Sequence, residues 1–411
     1  MKSKLLFLLV LIVSQAYSQF TAPPATPPDL ATKPSLLWKF KTNGSVVGSP
    51  VVGDSTVYIT SHDSTLYAID LLTGKVKWKL PTGAPLRSSV CLAAGRLFLL
   101  GGEGLLYSID KDSGWVYGVF RSLTGSMGER QNDYADYFQS TPVVEDTSIY
   151  FGSGGYIMAV SLTDGYMKWS YQTGDVVHTR PALSKGRLYA GSFDGNLYSI
   201  DTRTGNLVWK FKTTGHNFFP KGEVMGNPVV AGGMVFVGAR DYNLYALEMK
   251  GGYCNWMKQF PKGWALPVTV NDSVVYVGTS DDHQLFAYDI RTGSEIWKTN
   301  VGFNILGGCA IGSKIGYFGT LAGKVHGIDL KTGKIIWTIE LDSYKANHLT
   351  WLKPDDSFRT DIIKLISTPL DMLAMYRQLG GIFGTPAVAG NRLVVAGYDG
   401  WVYCFSGDVK P

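Results

Sequence analysis

The side chains able to do covalent or metal chemistry are few and scattered. Cys91, Cys254, Cys309 and Cys404 form no CxxC and no adjacent pair, and His62, His178, His216, His283, His326 and His348 show no spacing such as HxxxH. There is no Gly-x-Ser-x-Gly turn, P-loop or dinucleotide fingerprint. The run Ser153-Gly154-Gly155 lies between two strand patterns with no helix start after it, which reads as a hairpin turn and not a phosphate cradle. Arg87, His178 and Arg180 are polar residues at the starts of apolar segments, suited either to an anionic ligand or to water-bridged packing. No acid/base or metal set is assembled, so the expected chemistry is recognition rather than catalysis.

What recurs instead is a box: an aromatic strand, Asp, two residues, Thr-Gly, and Trp four residues after the Gly. It is complete as LYAIDLLTGKVKW from Leu66, LYSIDTRTGNLVW from Leu197, LFAYDIRTGSEIW from Leu285 and VHGIDLKTGKIIW from Val325. Degraded copies begin at Leu106, Ile157 and Leu244, and a truncated one at Trp401. Between Tyr67 and Tyr403, four of the seven spacings are 40 or 41 residues, and the longer three read as insertions into a fixed unit. Each unit also carries a small-residue start, often with Pro, such as Gly48-Ser49-Pro50 or Gly384-Thr385-Pro386, and a β-branched and aromatic run such as Thr56-Val57-Tyr58-Ile59. Short strands at regular spacing, separated by Gly, Asp and Asn, predict an all-β fold of four-stranded antiparallel blades.

Within the box, Asp70, Asp201, Asp289 and Asp329 are expected to accept backbone N–H bonds at a tight turn, with Gly74, Gly205, Gly293 and Gly333 closing it in the left-handed conformation. Trp38, Trp78, Trp169, Trp209, Trp256, Trp297 and Trp337 should pack between neighbouring blades, each indole N–H finding a carbonyl; one unit has Gly118 in that place. The last unit ends before its Trp strand, and Ser35-Leu36-Leu37-Trp38-Lys39-Phe40 is a Trp strand with no strands before it. An N-terminal strand completing the last blade removes both open edges, which predicts an eight-bladed β-propeller spanning 35–411.

The chain has 411 residues, of which 49 are Gly and 17% are charged, below the roughly 25% charged residues of an average globular domain. A formal charge of +5 without a Lys/Arg run gives no basis for nucleic-acid binding. Lys2 and Lys4, the apolar run Leu5 to Val13 and Ala16-Tyr17-Ser18 read as a signal peptide over 1–18, followed by a Pro-rich leader over 19–34. No stretch reaches the roughly 20 apolar residues of a membrane span. The expected product is exported, periplasmic or secreted, and a monomeric ring, with its isolated cysteines acting as small buried hydrophobes.

The repeated Asp-x-x-Thr-Gly-x-x-x-Trp box resembles the docking repeat of the quinoprotein (PQQ-like) β-propellers, over essentially all of 35–411. Two branches of that family bear on function. The calcium- and PQQ-dependent dehydrogenases typically have long inter-blade loops, often an adjacent Cys-Cys, and an Asp/Glu/Asn calcium set, none of which can be placed here residue by residue. The non-enzymatic BamB-like propellers, scaffolds of outer-membrane assembly, keep short repeats as this chain does. Those lipoproteins carry a cysteine at the cleavage site, where this chain has Gln19 after Ser18, so no lipid anchor is expected.

The resemblance thus implies a non-catalytic scaffold with no cofactor, binding an envelope or extracellular protein; PQQ and calcium belong to a dehydrogenase alternative, and a glycan to a third reading. Three insertions, Arg121 to Gln139, Thr213 to Val224 and Leu341 to Gly381, all follow a Trp-position strand and so should leave from one rim, where binding specificity usually sits. The candidate binding residues are Arg87, Arg130, Tyr134, Tyr137, His178, Arg180, His216, Phe218, Phe219 and Trp351. Thr368-Pro369 with Asp371 marks a helix start and Gly380 its stop. That helix has little polar face, so it is expected to fold down over the ring.

Overall fold

The computed structural model describes residues 29–123 and 139–407. They form eight four-stranded antiparallel sheets arranged as the blades of a propeller. In the first blade the strands run outward from the axis as Val51–Gly53, Thr56–Thr60, Thr65–Asp70 and Val76–Pro81. The two middle strands are buried on both faces, which is why they read as continuous apolar runs, whereas the outermost strand is largely exposed. The last sheet joins Ala387–Ala389, Arg392–Ala396 and Trp401–Ser406 to the N-terminal strand Ser35–Lys41, in antiparallel register Trp38 to Cys404. Its innermost strand lies against that of the first blade. The ring is therefore closed with its seam inside one sheet.

Each docking indole crosses to the next blade. The Nε1–H groups of Trp38, Trp78, Trp169, Trp209, Trp256 and Trp297 donate to the carbonyls of Leu71, Lys111, Thr202, Met249, Ile290 and Leu330, at 2.8–3.2 Å. The accepting residue always follows the Asp or Glu that opens the turn. Asp70 accepts from the Thr73 hydroxyl and from the Leu72 and Thr73 amides, and Asp201, Asp289 and Asp329 repeat the pattern. The Thr73 hydroxyl, its amide and the Leu72 amide hold the Asp70 carboxyl below its ordinary 3.8. Gly74 has φ +70° and a Cβ there would stand 2.7 Å from the Trp38 ring; Gly205, Gly293 and Gly333 face Trp169, Trp256 and Trp297 in the same way. These glycines close a turn and also form the flat floor on which the preceding indole lies.

A second set of bonds runs around the axis. The amides of Gly308, Thr385, Ser49 and Ser89 donate to the hydroxyls of Thr385, Ser49, Ser89 and Thr141 respectively, at 2.8–3.1 Å, linking blades seven, eight, one, two and three. The small-residue starts of the repeat thus join neighbouring blades, a role their sequence did not disclose.

The seventh docking site departs from the pattern. Trp337 donates to the carbonyl of Leu30 at 2.7 Å, the Leu30 amide donates to the Tyr317 hydroxyl, and Asp29 accepts from the Lys314 and Ile315 amides. Leu30 is buried, so residues ahead of Ser35 also pack on the ring; in the last blade no turn joins the third strand to the outermost one, which come from opposite ends of the chain, and Asp29 and Leu30 stand where that turn lies in other blades. The cysteines match the expectation of small buried residues only in part. All four are unpaired, Cys309 and Cys404 are buried, Cys91 is half-buried, and Cys254 is exposed because it lies on an outermost strand. Burial pushes the Cys309 thiol up to about 12.

Removing residues 35–41 should abolish the cooperative thermal transition, because it strips the last blade of its outer strand. A chain starting at Asp29 should melt within about 2 °C of one starting at Gln19, and one starting at Ser35 several degrees lower, since a buried Leu and four hydrogen bonds go with 29–34. Melting temperatures of the three truncations check this.

Candidate binding face and axial cavity

In seven units the residue before the small-residue start lines the axis, and in the sixth Leu266, next to Pro267, does so. Blades two, three and four place Arg87, Gln139 and His178 there, while blades one, five, six, seven and eight place Val47, Met225, Leu266, Leu306 and Phe383. These, with Arg180 and Asn227 below them, line a cavity of about 90 Å³. The hub is thus split into a polar sector and an apolar one. His178 is buried with its ring 4.9 Å from Phe193, edge to face, and the Arg180 amide donates to Asn227 at 2.7 Å. Three of the ten candidate residues therefore do meet, at one point on the axis. Aligning the units on their inner strands would have revealed seven of the eight axial residues, including Gln139 and Met225, which residue chemistry alone did not single out; in blade six a register shift between Ala265 and Val268 puts Leu266 in that place.

The third insertion covers the apolar sector. It forms helix α1 (Asp342–Trp351), a 3-10 turn at Ile362–Lys364 and helix α2 (Pro369–Leu379). Helix α2 has the expected start, a reciprocal cap between Thr368 and Asp371, and ends on Gly380 at φ +71°. Leu373, Met375, Tyr376 and Leu379 pack in one cluster with Val47, Leu266, Leu306 and Phe383, so the helices fold down over the ring. Trp351 belongs to this cluster, buried, its indole donating to the Gln378 side chain at 3.1 Å; it holds the two helices together and shows no face to a ligand. Lys324 ties the cap to the ring through Asp356, which also accepts from the Tyr344 hydroxyl. Several apolar side chains stay outside the cluster: Ile363 is 83% exposed, Leu370 62% and Leu349 57%.

The second insertion sorts its aromatics. Phe219 lies against Tyr242 and edge to face on Trp264, and the Arg240 guanidinium sits 4.4 Å from the Phe219 ring and 4.6 Å from that of Trp264. His216 packs on Tyr242 at 4.3 Å, while Phe218 is 78% exposed. Lys221 bridges back to Asp175 and the Gly215 amide donates to Asp241. Phe218, whose ring lies 5.6 Å from that of His216, is thus the most solvent-exposed of these aromatics. Arg240 and Trp264, unremarked in the sequence, form the platform beneath. Arg130, Tyr134 and Tyr137 lie outside the described residues.

A quinone on a divalent ion, as the dehydrogenase branch implies, does not fit the described residues of the hub. Calcium takes six to eight hard oxygen ligands, usually with carboxylates among them, and none of the residues lining the cavity is Asp or Glu. Among the described residues no group of three or more His, Cys, Asp and Glu is placed to hold a metal ion. The cavity also falls well below the roughly 300–1,000 Å³ of ordinary ligand pockets. Among the same residues no helix is long and apolar enough to cross a membrane.

Comparison with known proteins gives a consistent picture. A family model described as outer membrane protein assembly factor BamB matches residues 31–210 and 194–409. The BamB of Burkholderia pseudomallei is 23% identical over 378 residues, 87% of this chain and 83% of that protein. The BamB of Yersinia pestis is 23% identical over 205 residues, and there the match spans only half of the relative's length. Tetrathionate hydrolase of Acidithiobacillus ferrooxidans is 23% identical over 74% of this chain and 66% of its own. Among solved structures, BamB from Moraxella catarrhalis superposes with a TM-score of 0.67 at 15% identity, over 91% of this chain and 100% of that one. A europium-containing methanol dehydrogenase gives 0.65 at 13%, over 90% and 93%. At such identities the structures share the ring.

The two neighbouring phenylalanines should separate in a denaturation experiment. Phe219→Ala removes a ring packed between a guanidinium and an indole and should cost about 2–3 kcal/mol, whereas Phe218→Ala should stay within about 0.5 kcal/mol.

Proposed function

The chain belongs to the family described as outer membrane protein assembly factor BamB, and on that premise we propose that it is an exported, non-catalytic propeller that binds a protein at the cell envelope through its insertion-bearing rim. The observation that supports this most is the division of labour within the insertions. Their cores close the apolar sector of the hub, yet Ile363, Leu370, Leu349 and Phe218 remain exposed on the same side. Exposed apolar side chains rimmed by polar ones mark interaction sites, and large rings such as Phe218 are common anchors. The hub itself, small and without carboxylates among its described lining, offers recognition of at most a small anion beside Arg87 and Arg180. A monomeric ring needs no cofactor for such a role.

A photo-crosslinking side chain placed at Leu370 or Phe218 should yield discrete protein adducts in the native envelope. The same group at Lys185 or Asp272, on turns of the opposite rim, should yield none. Equal labelling from both rims would remove the assignment, as would dye-linked oxidation of alcohols or sugars by the purified protein after addition of PQQ and calcium.

A further inference from the structure

Seven seams of the ring are filled by an indole and one is not. The register shows which position is at stake. Trp78 pairs with Ala68, Trp169 with Ala159 and Trp209 with Ser199, and in the second blade the equivalent pair is Gly118 with Ser108. The Gly of the following turn, Gly165, has φ +75° like its counterparts, but nothing approaches within 4 Å of where its Cβ would be, and the same holds at Gly118. At Gly74, Gly114, Gly205 and Gly252 an indole lies within 2.7 Å of that point. The seam between blades two and three therefore keeps the frame of a docking site without its ring.

What remains is a cavity of about 410 Å³ between Gly118 and the turn Ser161 to Gly165. Its floor carries the aromatic partner a docking indole uses elsewhere. Tyr58, Tyr150 and Tyr189 lie 5.7–6.0 Å from Trp78, Trp169 and Trp209, and Phe98 occupies the same register position here. The acceptor is also in place. In sister seams the carbonyl after the turn's first residue receives an indole N–H, and in the first blade a tyrosine hydroxyl as well. Here that carbonyl is Leu162, Phe98 has no hydroxyl, Gly118 has no indole, and among the described residues no donor reaches it. Tyr166, 75% exposed, and the outward-facing Tyr117 and Val119 frame the opening.

We propose that this seam is an open indole socket, which takes a tryptophan side chain presented by an exposed segment of a partner protein. The segments 1–28, 124–138 and 408–411 of this sequence contain no tryptophan, which favours an indole brought by another molecule. Arg96 and Arg121 line the opening against a single carboxylate, Asp164, which favours a tryptophan flanked by acidic residues. The socket lies on the side of the ring between blades two and three and reaches Arg121, where the first insertion begins, but the proposal does not depend on what the rim binds.

The probe is N-acetyltryptophanamide, read by methyl NMR on the chain from Gln19 to Pro411. Saturable shifts confined to Leu106, Ile149, Val160, Leu162 and Met167 are expected at millimolar probe, with N-acetylphenylalaninamide at least threefold weaker for want of the N–H. Gly118→Trp should fill the seam from within, raise the melting temperature by several degrees and abolish the shifts. No saturable shift in the unaltered chain would overturn the proposal, as would shifts that persist in Gly118→Trp. Should that variant not fold, equal response to the two probes overturns it alone. Shifts that appear only after excision of 124–138 would give the seam to this chain's own segment. A concentration-dependent dimer lost in Trp115→Ala and Gly118→Trp would give it to a second copy. Either result rejects a partner's tryptophan.

Discussion

A propeller blade cannot bury its faces alone, and here the object that joins it to its neighbour is an indole laid on a glycine. The ring supplies apolar area and one N–H; the glycine supplies a flat floor at positive φ; the carbonyl after the turn's first residue accepts the N–H. Take away the glycine's freedom and the backbone is strained while a Cβ meets the indole. Take away the indole and a slot of some 410 Å³ remains, as the Gly118 seam displays. Each such hydrogen bond adds about 1 kcal/mol to the burial of the ring. Seven of them bind eight blades at their outer edges, while the hydroxyl bonds from Gly308 round to Thr141 join blades at the axis.

The seam of the ring shows how far such reasoning reaches from sequence alone. A lone Trp strand at one end and a missing one at the other predict that Ser35–Lys41 completes the last sheet, and it does. The number of blades and the start and stop of helix α2 were likewise readable, because each rests on local chemistry: a repeated turn, a capping Thr and Asp, a left-handed glycine. Leu30 was not. Its carbonyl serves Trp337, 307 residues away, and only the closed ring brings them together. Helix α1 was missed because Asp342–Trp351 has almost no apolar periodicity; Tyr344 and Trp351 bury it against neighbours that no local pattern announces. Cys254 was misjudged for the opposite reason: apolar flanks suggested burial, yet it lies on an outermost strand, most of whose side chains are exposed.

The axis repeats the lesson for function. Polar residues at the strand starts pointed to Arg87, His178 and Arg180, and the structure does gather them around one small cavity. Their apolar complement, from Met225 round to Val47, explains why the long insertion folds where it does: its helices cover the sector that water would otherwise wet. Trp351 was grouped with the binding residues and instead holds that cover together. Phe218 and Phe219, adjacent in sequence, face opposite environments because Arg240 and Trp264 leave room for only one ring.

The seam-by-seam role of the indole is tested most directly by comparing two Trp→Phe changes under chemical denaturation. Trp297→Phe keeps a ring but loses the N–H to Leu330 and part of the buried area, whereas Trp115→Phe alters a largely exposed side chain. The expected result is a loss of about 1–3 kcal/mol for the first and under about 0.5 kcal/mol for the second. Equal stability of the two variants would contradict the claim that the docked indoles hold the ring.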